Sequence, residues 1–266
     1  MIHSLKRRLL DQIENLGYVV QRHTPTAEMR ALLDTLKPRD PGCAFVRLGG
    51  PHDGGYLIPD DLDGIVACFS PGVDQTSAFE RDCLDRGMAL YLSDASVTGV
   101  GPELQGRPYH FQPKFIGLER RDDFMTLPDW VAAADLPEGD LMLQMDIEGA
   151  EYENLLACPP DLMRRFRVIS LELHHICEWW NPRYFSFVER ALGAVTATHT
   201  CVHIHPNNTS RVTTVAGITL VNTLEITFLR KDRVTGGSLR HDIPHPLDAD
   251  CVPSLPPLAL PRDWWG

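Results

Sequence analysis

The sequence predicts an α/β fold: an open, mostly parallel sheet with helices on both faces. Three observations lead there. From residue 65 onward, short apolar runs alternate with stretches of helical periodicity, the pattern of repeated strand–helix–strand units. No internal repeat or low-complexity tract competes with that reading. The length, 266 residues, suits one large domain with appendages, long enough to bury a core without disulfide or metal staples.

The elements follow in order. Leu5, Leu9, Ile13 and Leu16 recur at helical spacing and Gly17 stands where a C-cap belongs, so Leu5–Leu16 reads as an amphipathic helix. A second helix opens at Thr24-Pro25, turns Met29, Leu32, Leu33 and Leu36 inward, and stops at Lys37-Pro38. These two form an N-terminal helical extension, residues 1–44. Phe45–Leu48 and Tyr56–Ile58, joined through Gly49-Gly50 and Gly54-Gly55, predict a hairpin with a wide loop, a cap over a site. The sheet strands are then Ile65–Phe69, Met88–Leu92, Phe115–Leu118, Leu141–Met145, Arg167–Leu173 and Thr200–Ile204, with helices over Ser77–Arg86, Pro128–Ala134, Ala150–Ala157 and Pro182–Leu192. A seventh strand, Ile218–Leu229, follows a short turn-rich segment and is expected to pair antiparallel at the sheet edge. This domain spans 45–232. The proline-rich remainder, 233–266, ends Trp264-Trp265-Gly266 and reads as a tail packed on the domain, since its tryptophans would otherwise lie exposed.

Charge and cysteine usage narrow the function. A formal net charge of −11 repels a phosphate backbone, and no basic run exceeds Lys6-Arg7-Arg8, which argues against nucleic acid. Seven scattered cysteines without a C-x-x-C pair write neither a disulfide framework nor a zinc knuckle and fit a reducing compartment. Asp11 and Glu14 interrupt the N-terminus before an apolar stretch of signal length develops, so no export signal is expected. No apolar stretch approaches the ~20 residues of a bilayer span. The expected setting is the cytoplasm, without membrane insertion.

In such a sheet, ligands bind beyond the carboxyl ends of the strands. The first strand runs into Phe69-Ser70-Pro71-Gly72-Val73-Asp74, whose single glycine is not a G-x-G-x-x-G fingerprint. Asp94 follows the second strand about twenty residues beyond Gly72, the spacing of an acid that accepts the hydrogen bonds of a ribose diol, or else of a turn cap. The fourth strand runs into Asp146-Ile147-Glu148-Gly149-Ala150-Glu151. Glu148 and Glu151 fall in a first helical turn, where acids are favourable for helix reasons alone. Asp146 sits on the strand tip, where a ligand would lie.

Arg47-Leu48-Gly49 with Asp53-Gly54-Gly55-Tyr56, Phe69-Ser70-Pro71-Gly72-Val73-Asp74 with Phe79-Glu80, and Asp146-Ile147-Glu148-Gly149-Ala150-Glu151 together resemble the FkbM-type methyltransferases over about residues 45 to 230. The resemblance implies a Rossmann-like seven-stranded methyltransferase sheet, S-adenosylmethionine as cofactor, and methylation of a hydroxyl on a sugar or natural product, with a small-molecule or glycan acceptor as partner. It also implies that the backbone from Phe69 through Ser70 to Gly72 approaches the methionine part of the cofactor. Asp74, Ser77 and Glu80 would shape that pocket, and Asp94 would take the ribose. A sulfonium cation with an α-amino group suits a carboxylate-lined site; a pyrophosphate does not.

Two histidine-bearing strand ends remain. Glu172 and His174 share one face of the fifth strand by the period of two, and His203 and His205 share one face of the sixth. An attacking hydroxyl must lose its proton, so a base or a cation is required. His174 is one candidate base. Alternatively, Asp146, Glu172 and His205 hold a divalent ion, with Mn²⁺, Fe²⁺ or Zn²⁺ suited better than Mg²⁺ to mixed imidazole and carboxylate ligands. Two other classes compete: a mononuclear metal oxygenase or hydrolase using the histidines, and a non-catalytic module that binds the cofactor or a nucleotide.

Overall fold

The computed structural model describes residues 2–17 and 20–266. Helix α1 (Ile2–Asn15) forms as the periodicity predicts; Ile13 is half-buried and Leu16 exposed, while the side chains of Leu5 and Leu9 lie outside the described residues. Helix α2 (Thr26–Leu36) buries Met29, Leu32, Leu33 and Leu36. Its entry differs from the expected cap. Pro25 holds the N-cap position, and the Thr24 hydroxyl instead donates to the Trp179 carbonyl at 2.6 Å, fastening the extension to the domain.

Strands β1 (Phe45–Leu48) and β2 (Tyr56–Pro59) pair antiparallel as the cap hairpin. The chain then lays down β3 (Ile65–Pro71), α3 (Ala78–Asp85), β4 (Ala89–Ser93), β5 (His110–Gln112), β6 (Phe115–Ile116), β7 (Phe124–Met125), α4 (Leu127–Ala133) and β8 (Asp140–Met145). It continues with α5 (Glu151–Ala157), α6 (Pro160–Arg165), β9 (Phe166–Leu173), α7 (Pro182–Thr196), β10 (His199–Pro206), β11 (Val212–Val215), β12 (Ile218–Val221) and β13 (Leu224–Arg230). The seven-stranded sheet has the order β10-β13-β9-β8-β3-β4-β5, with β13 antiparallel to both its neighbours and the remaining pairs parallel. This is the Rossmann-like α/β sheet expected, with a reversal of strand order between β3 and β8.

Three expectations need correction. Residues 218–229 are not one strand: the chain turns at Asn222-Thr223, so that β12 closes a small hairpin with β11 and β13 enters the main sheet. Nor is β13 at the edge; it is inserted between β9 and β10, which explains why six of its seven residues are buried. The third sheet strand is the three-residue β5, whereas Phe115–Leu118 supplies only β6, paired with β7 outside the main sheet. A three-residue edge strand with two exposed positions has no apolar signature to read.

Alternation along the strands splits the core between two faces. Phe69, Leu143 and Ile169 pack beneath α2, α4, α5 and α7, while Cys68, Met142 and Val168 pack beneath α3 and the hairpin. All eight residues of β9 are buried, as a strand covered on both faces requires. Trp264 is fully buried on the first face, its ring 5.8 Å from that of Trp179 and its Nε1–H donating to the Thr219 carbonyl at 3.2 Å.

His199, at the start of β10, is 1% exposed and donates through Nε2 to the Phe166 carbonyl at 2.7 Å, tying β10 to β9 across β13. Burial holds its imidazole neutral, down to about 4 against an ordinary value near 6.5. Below about pH 6.5 the unfolded chain takes a proton that the folded one refuses, so this residue's contribution to stability is complete above that pH and is lost as the pH falls toward 4. Acidification over that window is expected to cost up to about 3 kcal/mol through this group. His199→Gln should flatten the corresponding segment of a melting temperature against pH curve; an unchanged slope would overturn the assignment.

Candidate functional site

The reversal of strand order puts the tips of β3 and β8 side by side, and Gly72 and Asp146 meet there. Gly72 has φ +87°, and a Cβ on it would collide with the Asp146 carbonyl oxygen, so only glycine lets the two backbones approach. Its N–H donates to the Ser93 carbonyl at 3.0 Å, which locks the turn to the tip of β4 as well. Two cavities, of about 260 and 290 Å³, open on either side of this contact and share Gly72 and Asp146 as walls.

The second cavity carries Asp94 and Ser96 on one side and Phe115, Ile116 and Phe124 on the other. Asp94 Oδ1 accepts from the N–H and the hydroxyl of Ser96, both at 2.6 Å, and among the described residues Oδ2 has no hydrogen bond. Phe115 and Phe124 remain 39% and 37% exposed at 5.5 Å between ring centroids, an apolar wall with one face uncovered. The β6–β7 pair, which contributes little to the sheet, builds that wall.

The first cavity is polar. His52, Asp53 and Gly54 of the hairpin loop, Asp74, Glu80 and Gln144 line it, with Tyr56 beneath. Ser70 Oγ lies 2.6 Å from both Glu80 Oε1 and Gln144 Oε1. A hydroxyl has one proton to give, so a protonated Glu80 completes the chain, and burial pushes its carboxyl up in agreement. Gln144 Nε2 passes the chain on to the Tyr56 hydroxyl at 3.2 Å.

Where the cavities meet, acids surround one imidazole. His174 Nε2 is 3.6 Å from Glu148, 3.7 Å from Glu172 and 3.9 Å from Asp146, and Nδ1 is 3.3 Å from Glu151. Burial opposes charge on His174, but the carboxylates overcome it and raise the imidazole to about 9. The same crowding works on the acids. Burial and then the neighbouring Glu172 hold Asp146 well above the carboxylate range, and burial lifts Glu172 to about 7 even though His174 and the Asn207 amide oppose it. Glu151 is fully buried, and its Oε1 accepts from the N–H groups of Ile147 and Gly149 at 3.0 and 3.1 Å. Those bonds fix the loop, in which Glu148 takes φ +57° and His175, opposite it, φ +58°.

The structure therefore places Gly72, Asp74, Glu80, Asp94 and Asp146 in the walls of one pair of cavities, with His174 and Glu172 behind Asp146. Other expected residues stand elsewhere. The Phe69 ring is stacked on Tyr91 at 4.8 Å within the core, so only its backbone faces the tip. The Ser77 hydroxyl accepts from the Gly101 N–H at 2.9 Å and lines neither cavity. His205 does not join Asp146 and Glu172: in the sheet, Glu172 pairs with Glu225 and Glu225 with His205, which places His205 two strands, about 10 Å, from Glu172. Among the described residues, the donor atoms that lie within 4.8 Å of one another are those of Asp146, Glu148 and His174. Sequence reasoning missed Glu225, which is 4% exposed with a carboxyl pushed well up by burial and then by Glu172. An acid in the apolar run Leu224-Glu225-Ile226 was its signal. It also missed Gln144, and Asn207, whose amide donates to Glu172 at 3.1 Å.

No protein-family model matches the chain, and no curated protein matches it. Among solved structures, it is similar to the N-methyltransferase NodS from Bradyrhizobium japonicum WM9, at 10% identity over 63% of this chain and 87% of that one, TM-score 0.35. It is also similar to the magnesium protoporphyrin IX methyltransferase ChlM from Synechocystis PCC 6803 with bound SAM, at 11% identity over 64% and 72%, TM-score 0.28. A third similarity is to a putative hemolysin from Streptococcus thermophilus, at 14% identity over 70% and 65%, TM-score 0.31.

The contact between Gly72 and Asp146 yields a direct test. Gly72→Ala forces the tips of β3 and β8 apart and places a side chain at positive φ, at an expected cost of at least ~2 kcal/mol. Chemical denaturation should read that loss; a variant as stable as the parent would show that the tips are free to separate.

Proposed function

We propose that this chain is an S-adenosylmethionine-dependent methyltransferase that acts on a hydroxyl of a small-molecule or glycan acceptor. The observation that carries the reading is the pair of cavities joined at Gly72 and Asp146, one apolar-walled with a carboxylate floor and one lined by acids. Asp94 accepts the two ribose hydroxyls through its unoccupied oxygen, and the uncovered faces of Phe115 and Phe124 take the adenine. Asp53 and Asp74 suit an α-ammonium group, with Glu80 shaping the wall beside them. The donor residues thus fit a sulfonium nucleoside and not a pyrophosphate, for which the first turn offers one glycine and no cation. Bound there, the cofactor supplies an electrophilic methyl group.

This chain's residues then have to place a hydroxyl in line with that methyl group and remove its proton. With an imidazole held near 9, His174 is charged at neutral pH and is no free base. Glu172, lifted to about 7 and 3.7 Å from His174, is the proton acceptor, and His174 balances the charge that results. Asp146, Glu148 and His174 also form the set that would hold a divalent ion, two oxygens and one nitrogen suited to Mn²⁺, Fe²⁺ or Zn²⁺ better than to Mg²⁺. Held there, such an ion would lower the pKa of a bound hydroxyl, and His174 would have to give up its proton to serve as a ligand.

Calorimetric titration should show binding of S-adenosylmethionine and S-adenosylhomocysteine with similar affinity, and Asp94→Ala should weaken both by about tenfold or more. Binding of NADH or ATP in their place would sink the reading. With a panel of hydroxylated acceptors, sugar nucleotides included, mass spectrometry should find a product heavier by one CH2 unit. Asp146→Asn should lower its formation by about 100-fold or more with little change in melting temperature; an unaltered rate removes Asp146 from the mechanism. The rate should rise with pH through about 7 as Glu172 loses its proton.

A further inference from the structure

A buried chain of hydrogen bonds ends at the first cavity with one proton to spare. Its members Glu80, Ser70, Gln144 and Tyr56 are each at most 6% exposed. Ser70 Oγ lies 2.6 Å from Glu80 Oε1 and from Gln144 Oε1, and Gln144 Nε2 donates to the Tyr56 hydroxyl oxygen at 3.2 Å. A carboxamide oxygen can only accept, so the Ser70 proton goes to Gln144 and Ser70 accepts from the protonated Glu80. Every link then donates toward Tyr56. The hydrogen left over is the phenol's own, which has no acceptor among the described residues.

That hydrogen stands where donors are scarce. Asp53, Asp74, Glu80 and Asp146 line the cavity with Tyr56, and among the described residues no lysine or arginine does. Arg47, in the same hairpin, spends Nε on the Gly50 carbonyl at 2.9 Å and Nη2 on the His52 carbonyl at 3.0 Å. Burial, and then the carboxylates of Asp146 and Glu172, keep the phenol protonated, and its ring is set edge-on against Phe79 at 5.5 Å. The start of α3 opens on the same cavity through Thr76, Phe79 and Glu80, and a neutral Glu80 leaves the positive end of that helix uncancelled. The reverse polarity would remove the donor. An ionised Glu80 would take the Ser70 proton, Gln144 would have to turn its amide, and its oxygen would then claim the Tyr56 hydrogen.

We propose that the Tyr56 hydroxyl donates to the α-carboxylate at the amino-acid end of the cofactor, and that Glu80, Ser70 and Gln144 are positioning residues that hold it as a donor. The inference rests on the methyltransferase reading, which puts the α-ammonium group against Asp53 and Asp74 in this cavity. A lone ammonium would need the acids only. An amino-acid end carries a carboxylate as well, which acids repel and a donor hydrogen satisfies. The cavity thus recognises both halves of a zwitterion, and the carboxylate half depends on one hydroxyl of the cap hairpin.

Calorimetric titration of the full-length protein with S-adenosylhomocysteine and with its decarboxylated analogue, which keeps the amine, reads this contact without turnover. The parent should bind the first about tenfold more tightly than the second. Tyr56→Phe should weaken S-adenosylhomocysteine about tenfold and leave the analogue within about threefold, a result that also shows the variant to be folded. Glu80→Gln cannot ionise and still donates to Ser70, so it should keep the parent's preference for the carboxylate; an equal loss of both ligands would instead mark Glu80 as an ionised partner of the ammonium and overturn the chain. If the parent binds both ligands equally, or Tyr56→Phe weakens both alike or neither, the proposal is overturned while the methyltransferase reading stands. If the parent binds neither ligand, that reading falls and the proposal with it.

Discussion

The structure depends most on the backbone approach of Gly72 to Asp146. A parallel sheet whose strand order reverses leaves a crevice at the reversal, but a crevice becomes a site only if neighbouring tips stay close enough to share walls. Here a residue without a side chain, at positive φ, lets the Asp146 carbonyl pack where a Cβ would stand. The turn is then held from the other flank by the Ser93 carbonyl. Gly72 and Asp146 wall both cavities, so the two share a floor of strand ends, with the hairpin loop bearing Asp53 closing one and the β6–β7 pair the other.

Charge is arranged around that contact by the same logic. Asp146, Glu148, Glu151 and Glu172 converge on one imidazole, more negative charge than a single cation offsets. Burial first, and the neighbouring carboxylates after it, hold the carboxyls of Asp146 and Glu172 and, one strand further, Glu225 above their usual range. Such a site binds protons or cations in preference to anions. A sulfonium, an ammonium or a divalent ion relieves it, and each competes with a proton for the same oxygens. Glu151 plays a different part: both its contacts to loop N–H groups and its approach to His174 Nδ1 hold geometry, so its role is structural.

Much of this was legible in the sequence, and the limits have a common cause. Local signals read well: the inward set of α2, the strand running into Asp146, the acid after β4, and the hairpin around its glycines all form where the periodicity and turn residues place them. What a chain does not print is the lateral order of its strands. The expectation that His205 joins Glu172 assumed that consecutive strands are neighbours; β13, last in the chain, is inserted between them and carries Glu225 into the gap. Likewise β5 has too few residues to show a period, and Ser77, a polar residue at a helix start, is used to hold Gly101 instead of facing the cavity. Sequence neighbours determined what each element is; only the topology determined which polar groups meet.

The insertion of β13 also separates the acidic site from the histidine pair of β10. Along one row of the sheet, facing the cap hairpin, stand Glu172, Glu225 and His205, spaced by about 5 Å per strand. Glu172 belongs to the acidic site and His205 to the cluster with His203 and Asp248, and between them Glu225 is covered by Cys251, whose thiol approaches Glu225 Oε1 at 3.6 Å. A charged Glu225 would couple the two groups electrostatically across this short distance. Burial, and then the neighbouring Glu172, push its carboxyl well up, which favours the neutral form at this point of the row. The C-terminal segment therefore reaches two neighbouring points of one row: Asp248 lies 2.8 Å from His203 Nε2 and 3.5 Å from His205 Nδ1, and Cys251 packs on Glu225.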